Sequence, residues 1–172
     1  ENSSNGYAAI AVHNSGNFVV TWTGVNSQGI YARRYDSNGN PLGADFRVDT
    51  EFLLGNDFEE SKPDIAMDQN GNFVIVWEMV NSITSDYSIQ AQRFDDTGTK
   101  VGTQFAANTH TLGVRHKAAV AMDSDGDFVI TWVSNQNGFS SFDIYAQYYK
   151  EDGTTLGSEF RVNSYVLHVQ DD

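Results

Sequence analysis

One phrase occurs three times in this chain, and the repetition is the strongest constraint on its fold. The copies read AIAVHNSGNFVVTW, DIAMDQNGNFVIVW and AVAMDSDGDFVITW. Two kinds of residue recur at intervals of 55 residues: Gly16, Gly71 and Gly126, and then Trp22, Trp77 and Trp132. Self-similarity at a fixed period is the signature of a repeat architecture. The sequence therefore predicts three copies of one structural unit.

Each copy contains four strand-like runs, seen most clearly in the second copy. Its first two runs, Asp64 to Asp68 and Phe73 to Glu78, are joined at Gly71, where an Asn-Gly step suits a tight hairpin turn. The second run is apolar at both parities, which predicts a strand buried on both faces. The third run, Ile89 to Phe94, alternates with polar residues and predicts a half-exposed strand. A glycine in the fourth run, Gly102, predicts a bulge or a close backbone approach.

Four-strand meanders whose first strands are the most apolar are typical of propeller blades. The sequence therefore predicts an all-β fold of three tandem four-stranded antiparallel meander repeats, resembling propeller blades. The repeats occupy about 7–50, 63–109 and 118–164 of a single domain, 1–172. Closed propellers typically have about 4–8 blades, so three units leave alternatives open. Two chains could close a six-bladed ring, three units could form a threefold closed structure such as a β-trefoil, or the chain could be a piece of a longer array.

Composition excludes several classes of partner. The chain has 10 basic and 23 acidic residues, a formal net charge of −13, which repels nucleic acid and anionic lipid. No apolar run approaches the roughly 20 residues that span a bilayer, so we predict no membrane insertion. The chain has no cysteine, which excludes disulfides, thiolate catalysis and zinc–sulfur sites. The acidity favours cation binding, although a solvated acidic surface is the simpler interpretation.

A second phrase follows each first one, and the two together resemble a known repeat. The second phrase reads IYARRYDSNGNPLGADFRV, IQAQRFDDTGTKVGTQFAA and IYAQYYKEDGTTLGSEFRV. Together they resemble a repeat of about 55 residues found in very large secreted bacterial proteins, which are adhesin-like and often accompany calcium-binding repeats. The matching segments are Pro63 to Trp77, Ile89 to Gly98, Ile144 to Tyr149 and Gly157 to Asn163. The resemblance implies a secreted or cell-surface location and supplies no catalytic residues. The chain departs from the pattern at His13, Ala118 and Lys150.

One turn has the composition of a cation site. Asp123, Asp125 and Asp127 alternate around Gly126, and alternate carboxylates on a glycine turn can converge on calcium. The downstream glutamate of an EF-hand is absent, because Ser134 stands at its position. Asparagine at matching places in the other copies favours ordinary turn chemistry instead. Calcium is thus the one cofactor that we predict, with these three aspartates as its ligands.

The loops after Trp77 and Trp132 hold the best candidates for ligand binding. They contain aromatic and acidic residues that are not shared by all copies: Asp86, Tyr87, Phe139, Phe142 and Asp143. An aromatic face beside Asp or Asn hydrogen bonds is suited to carbohydrate, and loops on a rigid scaffold often carry binding residues. The alternative is an ordinary loop. The repeated tryptophans, by contrast, are predicted to be core residues rather than sugar-stacking platforms.

These observations lead to one function and two alternatives. We predict a non-enzymatic extracellular binding or adhesion module whose partner is a glycan or another cell-surface ligand. The first alternative is a structural self-assembly module, either a ring-closing oligomer or a fibre subunit. The second is a glycan hydrolase that uses loop carboxylates. No phosphate-binding loop, nucleophile elbow or serine triad pattern occurs in the sequence, so we predict that the chain is not an enzyme.

Overall fold

A computed structural model describes residues 6–24, 29–50, 58–81, 83–84, 87–111, 113–136 and 142–164 of the protein. These ranges form an all-β fold that contains no helix, and hence none that could cross a lipid bilayer. The strands form three four-stranded antiparallel sheets. Each sheet is a simple meander in which consecutive strands pair, as the sequence predicts.

The three sheets follow one another along the chain. The first sheet comprises β1 (Ala8–Val12), β2 (Phe18–Thr23), β3 (Ile30–Tyr35) and β4 (Phe46–Arg47). The second sheet comprises β5 (Phe58–Met67), β6 (Phe73–Asn81), β7 (Tyr87–Phe94) and β8 (Lys100–Ala106). The third sheet comprises β9 (Arg115–Met122), β10 (Phe128–Ser134), β11 (Asp143–Tyr149) and β12 (Phe160–Arg161). Each sheet thus corresponds to one copy of the repeated sequence.

Glycine turns join the first two strands of each sheet, as predicted from Gly71 and its counterparts Gly16 and Gly126. In the second sheet the Asp68 amide donates to the Asn72 carbonyl at 2.9 Å, and the Gly71 amide donates to the Asp68 carbonyl at 3.2 Å. Gly71 has φ +88°, a left-handed conformation that favours glycine. A side chain there would also lie 3.3 Å from Cβ of Asp96, a tight contact, so glycine is favoured for two reasons.

The apolar side chains form two cores, one on each side of the second sheet. Ile75 and Trp77 pack towards the first sheet, whereas Val74 and Val76 pack towards the third. All four are fully buried, which confirms the prediction of a strand buried on both faces. In the described ranges no core joins the first sheet to the third, so the arrangement is open. The propeller-blade interpretation therefore describes this chain, and the threefold closed alternative does not.

The third strand of the second sheet differs from its prediction. Gln90 and Gln92 are 8% and 1% exposed, so β7 is buried on both faces rather than half exposed. The buried amide of Gln92 is satisfied locally, because its Nε2 donates to the carbonyls of Arg93 at 2.9 Å and Val101 at 3.3 Å. The prediction treated the alternating polar residues as exposed. A glutamine that hydrogen-bonds to nearby backbone can instead be buried with little penalty.

The three repeated tryptophans are buried to different degrees. Trp77 and Trp132 are 0% and 1% exposed, and each packs against the preceding sheet. Trp22 is only half-buried, although it stacks on Tyr31 with ring centroids 6.4 Å apart. Its face of the first sheet has no preceding sheet to cover it within the described residues. The predicted core role is therefore confirmed fully for two tryptophans and partly for the third.

Replacing Trp77 by alanine should destabilise the fold by about 3–5 kcal/mol, because it removes a large, fully buried aromatic side chain. The free energy of unfolding should be measured by denaturant titration followed by circular dichroism. Ile83→Ala is a suitable control, since Ile83 is 73% exposed, and surface changes usually alter stability by less than about 0.5 kcal/mol. Equal stability of the Trp77 variant and the parent would contradict the core assignment.

Candidate functional site

The sheets present two chemically different edges. At the turn edge, tight glycine turns connect the first strand to the second and the third to the fourth. At the opposite loop edge, the second strand of each sheet ends, the third begins, and the connections to the next sheet pass. The predicted metal ligands lie at the turn edge. The predicted ligand-binding residues belong to the loop edge.

The predicted calcium ligands lie in a turn that is hydrogen-bonded internally. Oδ1 of Asp123 accepts the backbone amides of Asp125 and Asp127, both at 3.0 Å. Oδ1 of Asp127 accepts the amide of Glu151 at 2.9 Å, which links this turn to the next turn of the same sheet. The matching turn of the second sheet uses Asp68 in the same way. These carboxylates therefore have a structural role whether or not they bind a cation.

Other turn carboxylates at this edge are stabilised in their charged form. Hydrogen bonds from Asn40, Thr97 and Thr154 hold the pKa values of Asp36, Asp95 and Asp152 below the usual aspartate value. A carboxylate that accepts several hydrogen bonds from its own turn is a pre-organised cap for that turn. Among the described residues, no group of three or more His, Asp or Glu side chains is arranged to hold a metal ion. The calcium site stays a prediction.

A cleft of about 280 Å³ opens at the loop edge of the second sheet, beside Tyr87. It is lined by apolar and uncharged polar residues: Met79, Asn81, Tyr87, Ser88, Ala106, Asn108 and Thr111. Tyr87 begins β7 and is half-buried, with its backbone carbonyl accepting a hydrogen bond from buried Arg115 at 3.2 Å. Of the five predicted ligand-binding residues, Tyr87 lines this cleft.

The two asparagines of the cleft are fixed by bonds to the backbone. Oδ1 of Asn108 accepts the amide of Ile89 at 2.8 Å, and its Nδ2 donates to the carbonyl of His110 at 2.6 Å. Oδ1 of Asn81 accepts the amides of Ile83 and Thr84 at 2.9 and 3.1 Å. The walls of the cleft are therefore held in one orientation before any ligand arrives.

Phe142 lies at the loop edge of the third sheet and is exposed. Its side chain is 52% exposed, and its ring packs on His116 with centroids 5.3 Å apart. Burial lowers the pKa of His116, which favours the neutral imidazole at pH 7. Phe142 and His116 together form a small aromatic surface, separate from the residues that line the Tyr87 cleft.

Asp143 is buried and is engaged within its own sheet. It begins β11 and is 2% exposed. Its Oδ1 accepts from Nδ2 of Asn163 at 2.9 Å, and its Oδ2 lies 3.7 Å from a guanidinium nitrogen of Arg161. In the first sheet the matching arginine, Arg47, pairs with Asp49. Asp143 thus pairs with the arginine of the third sheet as Asp49 pairs with the matching arginine of the first. Asp86 and Phe139 lie outside the described residues.

A charged group between the second and third sheets was not predicted from the sequence. Glu78 is 3% exposed, pairs with Nζ of Lys62 at 2.8 Å, and accepts the amide of Lys117 at 2.6 Å. Lys62 and Lys117 both have positive φ, +52° and +56°, at equivalent places in the first strands of their sheets. The bulge at Lys117 directs its amide to the neighbouring sheet. The sequence does distinguish this residue, because Glu78 stands where the other copies have the uncharged residues Thr23 and Val133.

Comparison with known proteins agrees with this architecture. No protein-family model matches the chain, and no curated protein matches its sequence. Among solved structures, the chain is similar to an endo-arabinase from Bacteroides thetaiotaomicron VPI-5482, with 18% sequence identity and a TM-score of 0.52. The match covers 90% of this chain but only 61% of the endo-arabinase chain. At this identity the likeness concerns the fold alone, and it supports a propeller-like class of β protein.

If calcium binds at Asp123, added calcium should raise the melting temperature, because a ligand that binds only the folded state stabilises it. Asp125→Asn should abolish that rise, because it removes one of the three predicted carboxylate ligands. The fold itself should be little affected, since the contact of this carboxylate is with the Ser124 hydroxyl, at 3.3 Å. Asp96→Asn is the matched control, because it removes the same charge from a different turn. Melting curves that do not change with calcium would contradict the site.

Proposed function

We propose that the chain is a non-enzymatic binding module of a secreted or cell-surface protein and that its ligand is a carbohydrate. The observation that carries this proposal is the cleft beside Tyr87. Sugars present both apolar C–H faces and hydroxyls. A site for them therefore combines an aromatic or apolar wall with a few well-placed polar groups. The wall residues Met79, Tyr87 and Ala106 supply the first feature, and Ser88 and Thr111 supply the second.

The cleft can offer hydrogen bonds to a ligand without rearranging. Oγ of Ser88 lies 3.0 Å from Nε2 of Gln90 and accepts its hydrogen, which leaves the hydroxyl proton for a ligand oxygen. Ligand pockets usually start near about 300 Å³, so a volume of about 280 Å³ suits a single sugar unit or a chain end. The endo-arabinase with a similar fold is a carbohydrate-active protein, which is compatible with this ligand class.

Binding without turnover is the simpler form of the proposal. Glycoside hydrolysis generally requires two carboxyl groups flanking the bond that is broken. The loop carboxylate of Asp143 is bonded to Asn163 and Arg161, and that of Glu78 to Lys62 and Lys117. Both carboxylates are thus engaged structurally, that of Asp143 within the third sheet and that of Glu78 between the second and third sheets. The adhesin-like setting is supported by the sequence resemblance and by the acidic, cysteine-free composition.

A second candidate function, structural self-assembly, is favoured by a different observation. The outer faces of the first and third sheets expose large apolar side chains, among them Ile10, Val12 and Phe160. Surfaces of this kind commonly mark sites of protein association. Carbohydrate binding at the loop edge and association through the outer faces use separate parts of the molecule.

Screening on a glycan array, followed by calorimetric titration of the best ligand, tests carbohydrate binding. Tyr87→Ala should raise the dissociation constant of that ligand about tenfold or more, because it removes the aromatic wall of the cleft. Tyr7→Ala is the matched control, since Tyr7 is 41% exposed and lies outside the cleft. Two outcomes would contradict the proposal: no glycan bound, or unaltered affinity in the Tyr87 variant. Sugar release that Asp143→Asn abolishes would contradict the non-enzymatic assignment.

A further inference from the structure

The outermost faces of the three-sheet stack are apolar, and no sheet of the described residues covers them. The first end face is the outer side of the first sheet and carries Ile10, Val12 and Tyr35. The last end face is the outer side of the third sheet and carries Ile144, Phe160 and Val162. Ile10 and Val12 are 57% and 62% exposed, and the three residues of the last end face are 43%, 51% and 52% exposed. Apolar surface of this kind is expensive to leave in water.

Equivalent residues are buried wherever two sheets meet inside the chain. Ile144 occupies the repeat position of Ile30 and Ile89, which are both 0% exposed. Ile10 occupies the position of Ile65, which is 6% exposed. The end faces therefore carry apolar residues at the positions that build the internal joints between sheets. No sheet packs against them within the described structure.

Two aromatic side chains pack on each other at each internal joint, one from each of the two sheets. Each end face carries a residue equivalent to one member of this pair. Phe105 of the second sheet packs on Tyr149 of the third, with centroids 5.4 Å apart and rings inclined at 53°. The joint between the first and second sheets has two phenylalanines at the equivalent positions, with centroids 5.6 Å apart and rings inclined at 53°. Phe160 of the last end face is the counterpart of Phe105, and Tyr35 of the first end face is the counterpart of Tyr149.

The polar contacts of the joint are also represented on both end faces. The Tyr149 hydroxyl donates to the Ala107 carbonyl at 3.1 Å across the joint. The counterparts are the hydroxyl of Tyr35, on the first end face, and the carbonyl of Val162, on the last. Tyr35 therefore retains the donor that this position uses at the joint between the second and third sheets.

A second hydrogen bond crosses each internal joint, and the end faces carry residues equivalent to both of its partners. The Thr109 amide donates to Oε2 of Glu159 at 2.6 Å, and the equivalent bond joins the first and second sheets at 2.8 Å. Ser164 supplies the matching amide after the third sheet, and Asp45 supplies a carboxylate before β4 of the first. The chemistry of the internal joint is thus reproduced between the end of one copy and the start of another.

Some cross-joint contacts are missing from the end faces. At the internal joints the guanidinium groups of Arg34 and Arg93 donate to the carbonyls of Thr97 and Glu151 in the next sheet. Tyr148 stands at this position in the third sheet and lacks the guanidinium group. A joint between two copies would therefore have fewer hydrogen bonds than an internal joint. We expect it to be weaker and reversible on dilution.

We propose that the last end face of one copy docks on the first end face of a second copy, in the manner of the internal joints. Two copies joined in this way at both ends would close a ring of six sheets. Six lies within the range of about 4–8 blades that is typical of closed propellers. The occupant of each end face is thus another copy of this chain, and both joints of the ring are identical.

Light scattering after size exclusion, over a dilution series without any glycan, tests the ring. At high concentration the mass should be twice that of one chain, and it should fall to one chain on dilution. Phe160→Glu should raise the dissociation constant by about tenfold or more, because it places a charge in the apolar joint. Ile83→Glu is the matched control, because Ile83 is exposed but lies on neither end face. Melting curves confirm that each variant is folded.

Mixing two variants shows whether the contact is head-to-tail. Phe160→Glu disables the last end face, and Ile10→Glu disables the first, so each alone should be a monomer. An equimolar mixture should regain dimer, since one intact joint can form between the two variants. A parent that stays monomeric at every concentration, a mass that grows beyond two chains, or a Phe160→Glu variant that dimerises as tightly as the parent would each overturn the proposal.

Discussion

Packing of one sheet on the face of the next is the interaction on which the rest of this structure depends. A meander of four strands with apolar side chains on both faces cannot bury them by itself, because alternate residues point to opposite sides. The second sheet solves this by lying between two others, so that Ile75 and Val76 are both fully buried. Within the described residues, the first and third sheets are covered on one side only, which explains their exposed apolar residues.

This packing also separates the roles of the two edges. Turn carboxylates such as Asp68 and Asp123 accept amides of their own turns, and the glycines between them set the backbone. The turn edge is therefore similar in the three copies, apart from His13 and Lys150, which each replace a turn aspartate. The loop edge differs between copies in length and composition, and there the second sheet forms the cleft beside Tyr87. A rigid repeated scaffold with one variable edge is a common basis for binding proteins.

Part of the candidate site was visible in the sequence, and part was not. Tyr87 stood out because it lies in a loop whose aromatic residues are not shared by all three copies, and the structure places it at the cleft. The partners of Asp143 were not visible, because Arg161 and Asn163 approach it only when β12 pairs with β11. Glu78 was missed because it ends an apolar run, and its neighbour Lys117 comes from another sheet.

The sequence by itself determined the repeated unit, the order of its strands and the position of its turns. These are local properties, set by side-chain alternation along a strand and by the positive φ of residues such as Gly71. Only the tertiary structure decided which faces are buried. Trp22 and Trp77 end the same phrase, yet one is half-buried and the other fully buried. The difference arises because burial depends on a neighbouring sheet, which no single repeat encodes.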